Sequence, residues 1–329
     1  MMVEARYYQK LAENKVKCSL CPNYCVISEN RYGRCLGRKN IGGQLFAVNY
    51  GEVVSYAIDP MEKKPLYHFY PGREIFSVAT YGCNLLCPFC QNWEISQNRV
   101  SAVYLEPEEL INIVLREQCE FIAYTYTEPL IWFEYLLDVM KLAKKKNIKN
   151  VLVTNGMINE EPLKELLPYV SAMNIDLKSI KEEFYKDFIK GSLKTVLRTI
   201  EVSKDFCHIE ITNLLIPQKN DSDEEIKELV NFLFSLKRSI PLHFSRYFPH
   251  YKLSLPATPV ETLLKAYYIA REKLYYVYLG NVFGLDVGQD TFCPDCNNLL
   301  IRRNYYNVKI VGLDGKNCSK CKREIEIIL

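Results

Sequence analysis

The chain has 329 residues, of which 48% are hydrophobic and 25% are charged, and its formal net charge is +3. This composition is that of a globular protein and argues against a disordered or collagen-like chain. No apolar run approaches the ~18 residues that a membrane span needs, and the polar N-terminus lacks the apolar stretch of a signal peptide. We therefore expect a cytoplasmic protein with no membrane partner. Its thirteen cysteines are not expected to form a disulfide framework, for which a hyperthermophilic protein would be the exception, and most of them are expected to bind metals.

The cysteines fall into three groups along the chain, and only Cys119 and Cys207 stand apart from them. Their residue numbers give runs of four, three and four: Cys18, Cys21, Cys25 and Cys35; Cys83, Cys87 and Cys90; Cys293, Cys296, Cys318 and Cys321. Closely spaced cysteines of this kind are typical of metal sites.

The N-terminal group, Cys18, Cys21, Cys25 and Cys35, supplies four thiolates within residues 18–35. Four thiolates complete a coordination shell, so the site is expected to be closed and structural. Zinc is the first choice for its metal, and an iron–sulfur cluster is the alternative.

The second group, Cys83, Cys87 and Cys90, supplies only three thiolates. It follows the apolar run 75–79, which predicts a strand, and Gly82 allows a tight exit from that strand. A [4Fe-4S] cluster is usually held by four cysteines, so three ligands leave one iron free to bind a small molecule. Three zinc ligands completed by a histidine, or ordinary buried thiols, are the alternatives.

Strand and helix patterns alternate between the second and third groups. Apolar and β-branched runs predict strands at 75–81, 120–126, 150–154, 172–177, 207–216, 241–247 and 275–279. A helical period predicts helices at about 107–118, 130–146, 160–168, 181–189, 222–237 and 259–273. This alternation predicts a parallel sheet with helices outside, and about six such units indicate an α/β fold, a partial (β/α)6 TIM-like barrel.

Polar residues follow several of the predicted strands. Glu128 comes after the second strand, Asn155 after the third, and Asp176 at the end of the fourth. Because α/β barrels keep their chemistry at the carboxyl ends of the strands, these side chains are expected to face a cofactor. His243 lies within the sixth strand and is interpreted as a structural residue.

The third group has the C-x2-C-x21-C-x2-C spacing of a zinc ribbon. A four-cysteine zinc site would stabilise a piece too small to fold on its own core, although rubredoxin-like iron uses the same spacing. We expect three parts: an N-terminal four-cysteine metal-binding segment with its lead-in (1–70), the partial barrel (71–285) and a zinc-ribbon-like module (286–329).

Positive charge is concentrated at both ends of the chain. Residues 1–45 carry eight Lys or Arg against three Glu, and residues 297–323 carry seven against one Asp. A solvated, lysine-rich surface is the simpler interpretation. A footprint for an anionic macromolecule such as RNA is the alternative.

In combination, these motifs resemble one family, the radical S-adenosylmethionine (SAM) enzyme of the AmmeMemoRadiSam system. The resemblance rests on both terminal cysteine sets, on the central triad with Phe89 before its last cysteine, and on the runs 59–69 (DPMEKKPLYHF), 88–96 (PFCQNWEIS) and 278–281 (YLGN). The runs 154–156 (TNG) and 176–178 (DLK) resemble motifs of pyruvate formate-lyase activating enzyme, a more distant relative.

The resemblance implies that a [4Fe-4S] cluster on the triad cleaves SAM reductively, usually to a 5′-deoxyadenosyl radical that modifies a substrate. It places Glu128 in a Gly-Gly-Glu-Pro-type turn for the methionyl amine, with Tyr126 and Thr127 in place of the glycines. The residues it implies for SAM binding are Phe89, Glu128, Asn155 and Asp176.

The resemblance also implies partners, namely Memo-like and AMMECR-type proteins and an electron donor of the flavodoxin or ferredoxin type. Two alternatives differ in the reaction. One is a glycyl-radical-enzyme activase, and the other is a non-enzymatic iron–sulfur and zinc scaffold or electron carrier.

Overall fold

An eight-stranded sheet forms the centre of the computed structural model, which describes residues 2–329. Strands that are consecutive in the chain are neighbours in the sheet. Seven of them are parallel: Glu74–Ala79, Phe121–Tyr124, Lys149–Thr154, Val170–Asp176, His208–Leu215, Leu242–Arg246 and Val277–Gly280. The strand Ser55–Pro60 pairs antiparallel with the first of these at one edge. The seven predicted strands and the predicted parallel sheet are thus confirmed.

Each pair of consecutive parallel strands is joined through a helix. In chain order these helices are Pro107–Arg116, Phe133–Lys145, Glu160–Leu166, Leu193–Ser203, Asp223–Leu236 and Val260–Arg271. Shorter helical turns are Met61–Lys63, Trp93–Ser96, Pro129–Trp132 and Leu167–Tyr169. The segment predicted as a helix at 181–189 is a π-helix, Phe184–Ile189. The helix Leu193–Ser203 escaped prediction, although Ser192 caps it by accepting from the Thr195 N–H.

The two faces of the sheet are covered by different parts of the chain. Alternate strand residues such as Phe76, Ile122 and Leu152 join the large apolar core that also contains the helices. Their neighbours along each strand join a smaller cluster with residues of the run 59–69. Because successive side chains of a strand point to opposite faces, this run covers the face that the helices leave free.

Both ends of the chain form short antiparallel strands. The N-terminal strands are Val3–Glu4, Tyr8–Lys10, Val16–Cys18, Val26–Ile27, Arg38–Ile41, Gln44–Ala47 and Glu52–Val53, the last of which pairs with Val103–Tyr104. The C-terminal strands are Thr291–Phe292, Leu299–Asn304, Asn307–Ile310, Leu313–Asp314 and Asn317–Cys318. The N-terminal segment shares the large core, whereas the C-terminal strands form a cluster of their own with aromatic residues at the last parallel strand. The structure describes no helix that is both long enough and apolar enough to span a membrane.

Candidate functional site

The three central cysteines lie on the loop that follows the first parallel strand, Glu74–Ala79. The loop turns at Gly82, whose φ is +95°, and a Cβ atom there would lie 2.1 Å from the carbonyl oxygen of Cys35. Only glycine tolerates this conformation together with so close a backbone approach. The predicted tight exit from the strand is confirmed, and it places the triad loop directly against the N-terminal cysteine segment.

The triad thiols are shielded from water, with Cys87 buried and Cys83 and Cys90 half-buried. Cys83 Sγ accepts from the Leu85 N–H at 3.4 Å and from the Asn155 side-chain amide at 3.6 Å. Burial raises the pKa of Cys83 well above its usual range and that of Cys87 to about 12. Thiols of this kind ionise when a metal binds them, because the metal charge stabilises the thiolate. The donor set therefore fits a metal cluster.

Phe89, the aromatic residue before the last cysteine of the triad, is buried. Its ring centroid lies 6.3 Å from that of Phe184 and 5.7 Å from that of Phe188. Both partners belong to the π-helix, so Phe89 anchors the cysteine loop to that helix. Its contact with SAM stays a prediction.

Glu128 is buried, and its carboxylate has three donors. Oε1 accepts from the Thr154 hydroxyl at 2.6 Å and from the Leu130 N–H at 3.0 Å. Oε2 accepts from the Asn155 N–H at 2.8 Å. Since these donors follow two neighbouring strands, Glu128 ties the strand ends together and caps the turn Pro129–Trp132. Its contact with a methionyl ammonium group stays a prediction.

Tyr126 occupies a position where the family motif has glycine. Its φ of +67° lies in the left-handed region that favours glycine. Two contacts hold it there: its hydroxyl donates to the Asp59 carboxylate, and Lys64 Nζ lies 4.6 Å from its ring centroid. Asp59 and Lys64 form a buried ion pair of 2.6 Å. The run 59–69 thus supports the strand-end turn, a role that sequence reasoning missed.

Asn155 and Asp176 lie at the same edge of the sheet as the triad. The Asn155 amide donates to Asn84 Oδ1 at 2.9 Å, in addition to its contact with the Cys83 sulfur. Asp176 forms an ion pair of 3.0 Å with Lys178, and its side chain remains 34% exposed. Burial lowers the pKa of Lys178, but the Asp176 carboxylate outweighs burial and raises it above the usual range. Asp176 thus offers accessible negative charge at this edge.

Comparison with known proteins identifies the family. Residues 77–233 match the model of the Radical SAM superfamily. An uncharacterized protein of Methanocaldococcus jannaschii is 45% identical over 337 residues, which cover both chains completely. The pyruvate formate-lyase-activating enzyme of Clostridium pasteurianum is 26% identical over 165 residues, which cover 47% of this chain and 68% of that enzyme. The chain belongs to the radical SAM superfamily.

Solved structures share this fold at low sequence identity. A radical SAM methyltransferase from Sphaerobacter thermophilus aligns with a TM-score of 0.51 and 18% identity, covering 70% of this chain and 71% of that one. SuiB of Streptococcus suis, solved with SAM bound, aligns with a TM-score of 0.51 and 16% identity, covering 67% and 53%. Such identities show the fold alone. Membership of the superfamily confirms that the protein is an enzyme, and it implies SAM and a [4Fe-4S] cluster as cofactors.

His243 of this radical SAM enzyme lies inside the sheet, away from the triad edge. Its Nε2 atom lies 2.6 Å from Oε2 of Glu210, which is fully buried. Glu210 also accepts from the His68 N–H at 2.7 Å and lies 3.0 Å from His208 Nε2. The histidine is therefore a satisfied structural residue, and it joins the run 59–69 to the fifth and sixth parallel strands.

The two terminal cysteine sets of the radical SAM enzyme differ in spacing. In the C-terminal set all four Sγ atoms lie within 4.8 Å of one another. The closest pairs are Cys293 with Cys321 at 3.5 Å and Cys296 with Cys318 at 3.6 Å. Within residues 2–329 no other group of three or more potential ligands is as tight. The N-terminal four cysteines are less tightly grouped and line a cavity together with Arg38.

Proposed function

We propose that Cys83, Cys87 and Cys90 hold the [4Fe-4S] cluster of this enzyme and that the cluster is used for reductive cleavage of SAM. The observation that carries the proposal is the thiol set: three buried or half-buried cysteines on one loop at the carboxyl end of a parallel strand. When bound, the cluster supplies the electron that breaks a carbon–sulfur bond of SAM. The resulting radical would modify a substrate. The basic chain ends are the reason to include macromolecules such as RNA or protein among the candidate substrates.

The residues around the triad would bind and orient SAM. Asp176 and Lys178 offer charges of both signs at the edge, suited to the ribose hydroxyls and to the amine and carboxylate of the methionyl part. Asn155 donates to the Cys83 sulfur, and such hydrogen bonds stabilise negative charge on a ligating thiolate. Glu128 positions Asn155, and Phe89 with the π-helix excludes water from one side of the loop.

We also infer that the sheet curves into a partial barrel of about six strand–helix units. The support is that different groups cover the two faces of the sheet. Helices pack on one face, while the other holds the run 59–69 and the buried carboxylate of Glu210. Polar groups with full sets of partners are suited to the narrow interior of a curved sheet.

The AmmeMemoRadiSam assignment is a further proposal, supported by the run 59–69 and by both cysteine sets. This assignment implies Memo-like and AMMECR-type protein partners, a flavodoxin- or ferredoxin-type electron donor and a cytoplasmic location. We also propose that the C-terminal cysteine set binds zinc. RNA is supported less well, because Arg38 and Arg303, which contribute to the basic ends, are buried with 1% and 5% exposure.

Product analysis after a single turnover tests the proposal. The protein would be reconstituted anaerobically, reduced with dithionite and mixed with SAM, and the cleavage products would be identified by mass spectrometry. We expect 5′-deoxyadenosine and methionine from the native protein, none from Cys87→Ala, and native yield from Cys119→Ala, which lies outside all three groups. Aminocarboxypropyl products would assign the other carbon–sulfur bond, and the absence of any cleavage would refute the proposal.

A second candidate function is activation of a glycyl-radical enzyme. Its support is the activity assigned to relatives, including the Clostridium pasteurianum enzyme and a putative glycyl-radical enzyme activating enzyme of Methanocaldococcus jannaschii that is 26% identical over 171 residues. A glycyl-radical electron paramagnetic resonance (EPR) signal on a co-purified protein after SAM addition would favour it. Cleavage of SAM without a protein radical would favour the first proposal.

A further inference from the structure

The four N-terminal cysteines are spaced more widely than a single metal ion requires. Sulfur atoms at 2.3 Å from a tetrahedral zinc ion are about 3.8 Å apart. The C-terminal set meets this spacing, since its closest sulfur pairs are 3.5 and 3.6 Å apart. The N-terminal sulfurs do not group within 4.8 Å, although all four cysteines line one cavity.

We propose that Cys18, Cys21, Cys25 and Cys35 bind a second [4Fe-4S] cluster, and not zinc. In a [4Fe-4S] cluster each cysteine binds a different iron at the corner of a cube, so the four sulfurs lie farther apart than around one ion. The triad of this radical SAM enzyme shows the same open spacing, because its cysteines are also absent from the close groupings. The N-terminal set therefore resembles the triad more than it resembles the C-terminal set.

Arg38 provides an independent argument for an acceptor inside the cavity. Its guanidinium is only 1% exposed and lines the cavity. Nη1 donates to Glu134 at 2.5 Å, whereas Nε and Nη2 have no partner among the described residues. Buried donors without partners are costly, so an acceptor is expected beside them. The bridging sulfides and cysteine sulfurs of a cluster are such acceptors.

The free donors of Arg38 would also affect the chemistry of a bound cluster. Hydrogen bonds to the sulfurs tune the reduction potential of iron–sulfur clusters. The site would thus be electronically tuned by Arg38.

The proposed cluster would lie beside the reactive one. The Cys35 carbonyl lies against Gly82, the residue before Cys83. The side chain of Asn23 donates to the Asn84 carbonyl at 2.8 Å. The two cysteine loops are thus in direct contact. The inference does not depend on SAM cleavage, since it concerns metal content alone.

Metal analysis of a triad variant tests the proposal without changing the N-terminal site. The full chain with Cys83→Ala, Cys87→Ala and Cys90→Ala would be reconstituted anaerobically with Fe2+ and inorganic sulfide. We expect about four iron and four acid-labile sulfide per chain, and an EPR signal after dithionite reduction. The native protein should hold about eight of each. Were the variant to contain no sulfide, with zinc or no metal bound instead, the proposal would be overturned.

If the triad variant does not fold, the iron content of the native protein decides the question. The native protein should hold about eight iron with the second cluster and about four without it. The test is also separable from the proposed function. A native protein that fails to cleave SAM but holds eight iron would refute the function and leave the second cluster intact.

The role of Arg38 can be tested on the same background. Arg38→Met with Glu134→Gln removes the two free donors without leaving an unpaired buried carboxylate. We expect the reduction potential of the second cluster to become more negative, measured by redox titration followed by EPR, because donors to sulfur stabilise the reduced state. Arg323→Met, near the C-terminal set, should leave that potential unchanged. An unchanged potential in the Arg38 variant would remove Arg38 from the site.

Discussion

The two ends of this radical SAM enzyme carry the same number of cysteines and use them differently. The C-terminal set is tight and lies on short strands with a small apolar cluster of their own, whereas the N-terminal set is open and shares the large core of the sheet. A buried arginine accompanies each end. Arg303 donates to Thr291 and to the Tyr67 carbonyl and leaves only its Nε atom without a hydrogen bond, whereas Arg38 leaves both Nε and Nη2 without one. Ligand count alone therefore does not define a metal site.

The largest expected effect is the loss of the C-terminal metal. Cys293→Ser with Cys318→Ser should abolish the proposed zinc binding and unfold residues 286–329, because a structural zinc site would contribute roughly 10 kcal/mol to so small a fold. Limited proteolysis and zinc analysis would measure this. The central sheet, with its separate core, should stay protected. Protease resistance of 286–329 without zinc would show that the two ends differ less than their spacing indicates.

A substitution at the junction of the two cysteine loops should have the next largest effect. Gly82→Ala places a Cβ atom 2.1 Å from the Cys35 carbonyl at a φ of +95°, so one of the two loops must move. We expect loss of iron from both the triad and the N-terminal set. Iron content and thermal unfolding would check this. Gly315→Ala is the control, because its φ is +58° with open space around it and should cost about 1 kcal/mol.

The two buried arginines should respond differently to metal. Arg303→Met leaves the buried Glu62 carboxylate, 3.6 Å from its Nε, without its cation and should cost about 3–5 kcal/mol. This loss of unfolding free energy should be the same in the iron-loaded and the iron-free protein. The loss of unfolding free energy in Arg38→Met with Glu134→Gln should instead differ between the two forms. Urea unfolding of both forms would measure it. The exposed neighbour Arg302 is the control, and equal iron dependence of the two arginines would contradict the comparison.

The smallest expected effect is acid weakening of the C-terminal attachment through His68. Its ring lies 2.9 Å from the Glu326 carbonyl and 2.7 Å from the Tyr278 hydroxyl, and burial lowers its pKa from 6.5 to about 3. The unfolded chain takes up a proton below pH 6.5 while the folded chain does not until about pH 3. Stability is therefore present above 6.5 and falls below it, by at most about 1.4 kcal/mol per pH unit.

Urea unfolding at pH 7.5 and pH 5.5 would measure this dependence. We expect His68→Asn to flatten it and His250→Asn, at an exposed histidine, to leave it as in the native protein. A slope that is unaffected by the His68 substitution would assign the acid weakening to other groups.

Local patterns predicted much of the fold and the position of the site. Apolar and β-branched runs placed all seven parallel strands, since a strand buried on both faces leaves a short continuous apolar run in the sequence. The helix Leu193–Ser203 was missed, and the helix predicted at 181–189 is a π-helix whose hydrogen-bond spacing leaves no distinct sequence period. The triad loop could be located because Gly82 and the three cysteines are contiguous.

Long-range contacts escaped prediction. The support of Tyr126 by Asp59 and Lys64 joins residues more than sixty positions apart, and no local pattern encodes it. The basic N-terminus gave no sign that Arg38 is buried beside the cysteines. The same holds for Glu210, which gathers three histidine residues from different parts of the chain.

The sequence by itself determined which residues can act as ligands: three cysteine groups, one with three thiols and two with four. Spacing along the chain suffices for this, because ligands on one short loop are brought together by the loop. Only the tertiary structure decided how far apart the four N-terminal sulfurs lie and that Arg38 faces them with free donors. Those properties depend on how the loops pack against the sheet, and packing joins residues that are remote in sequence.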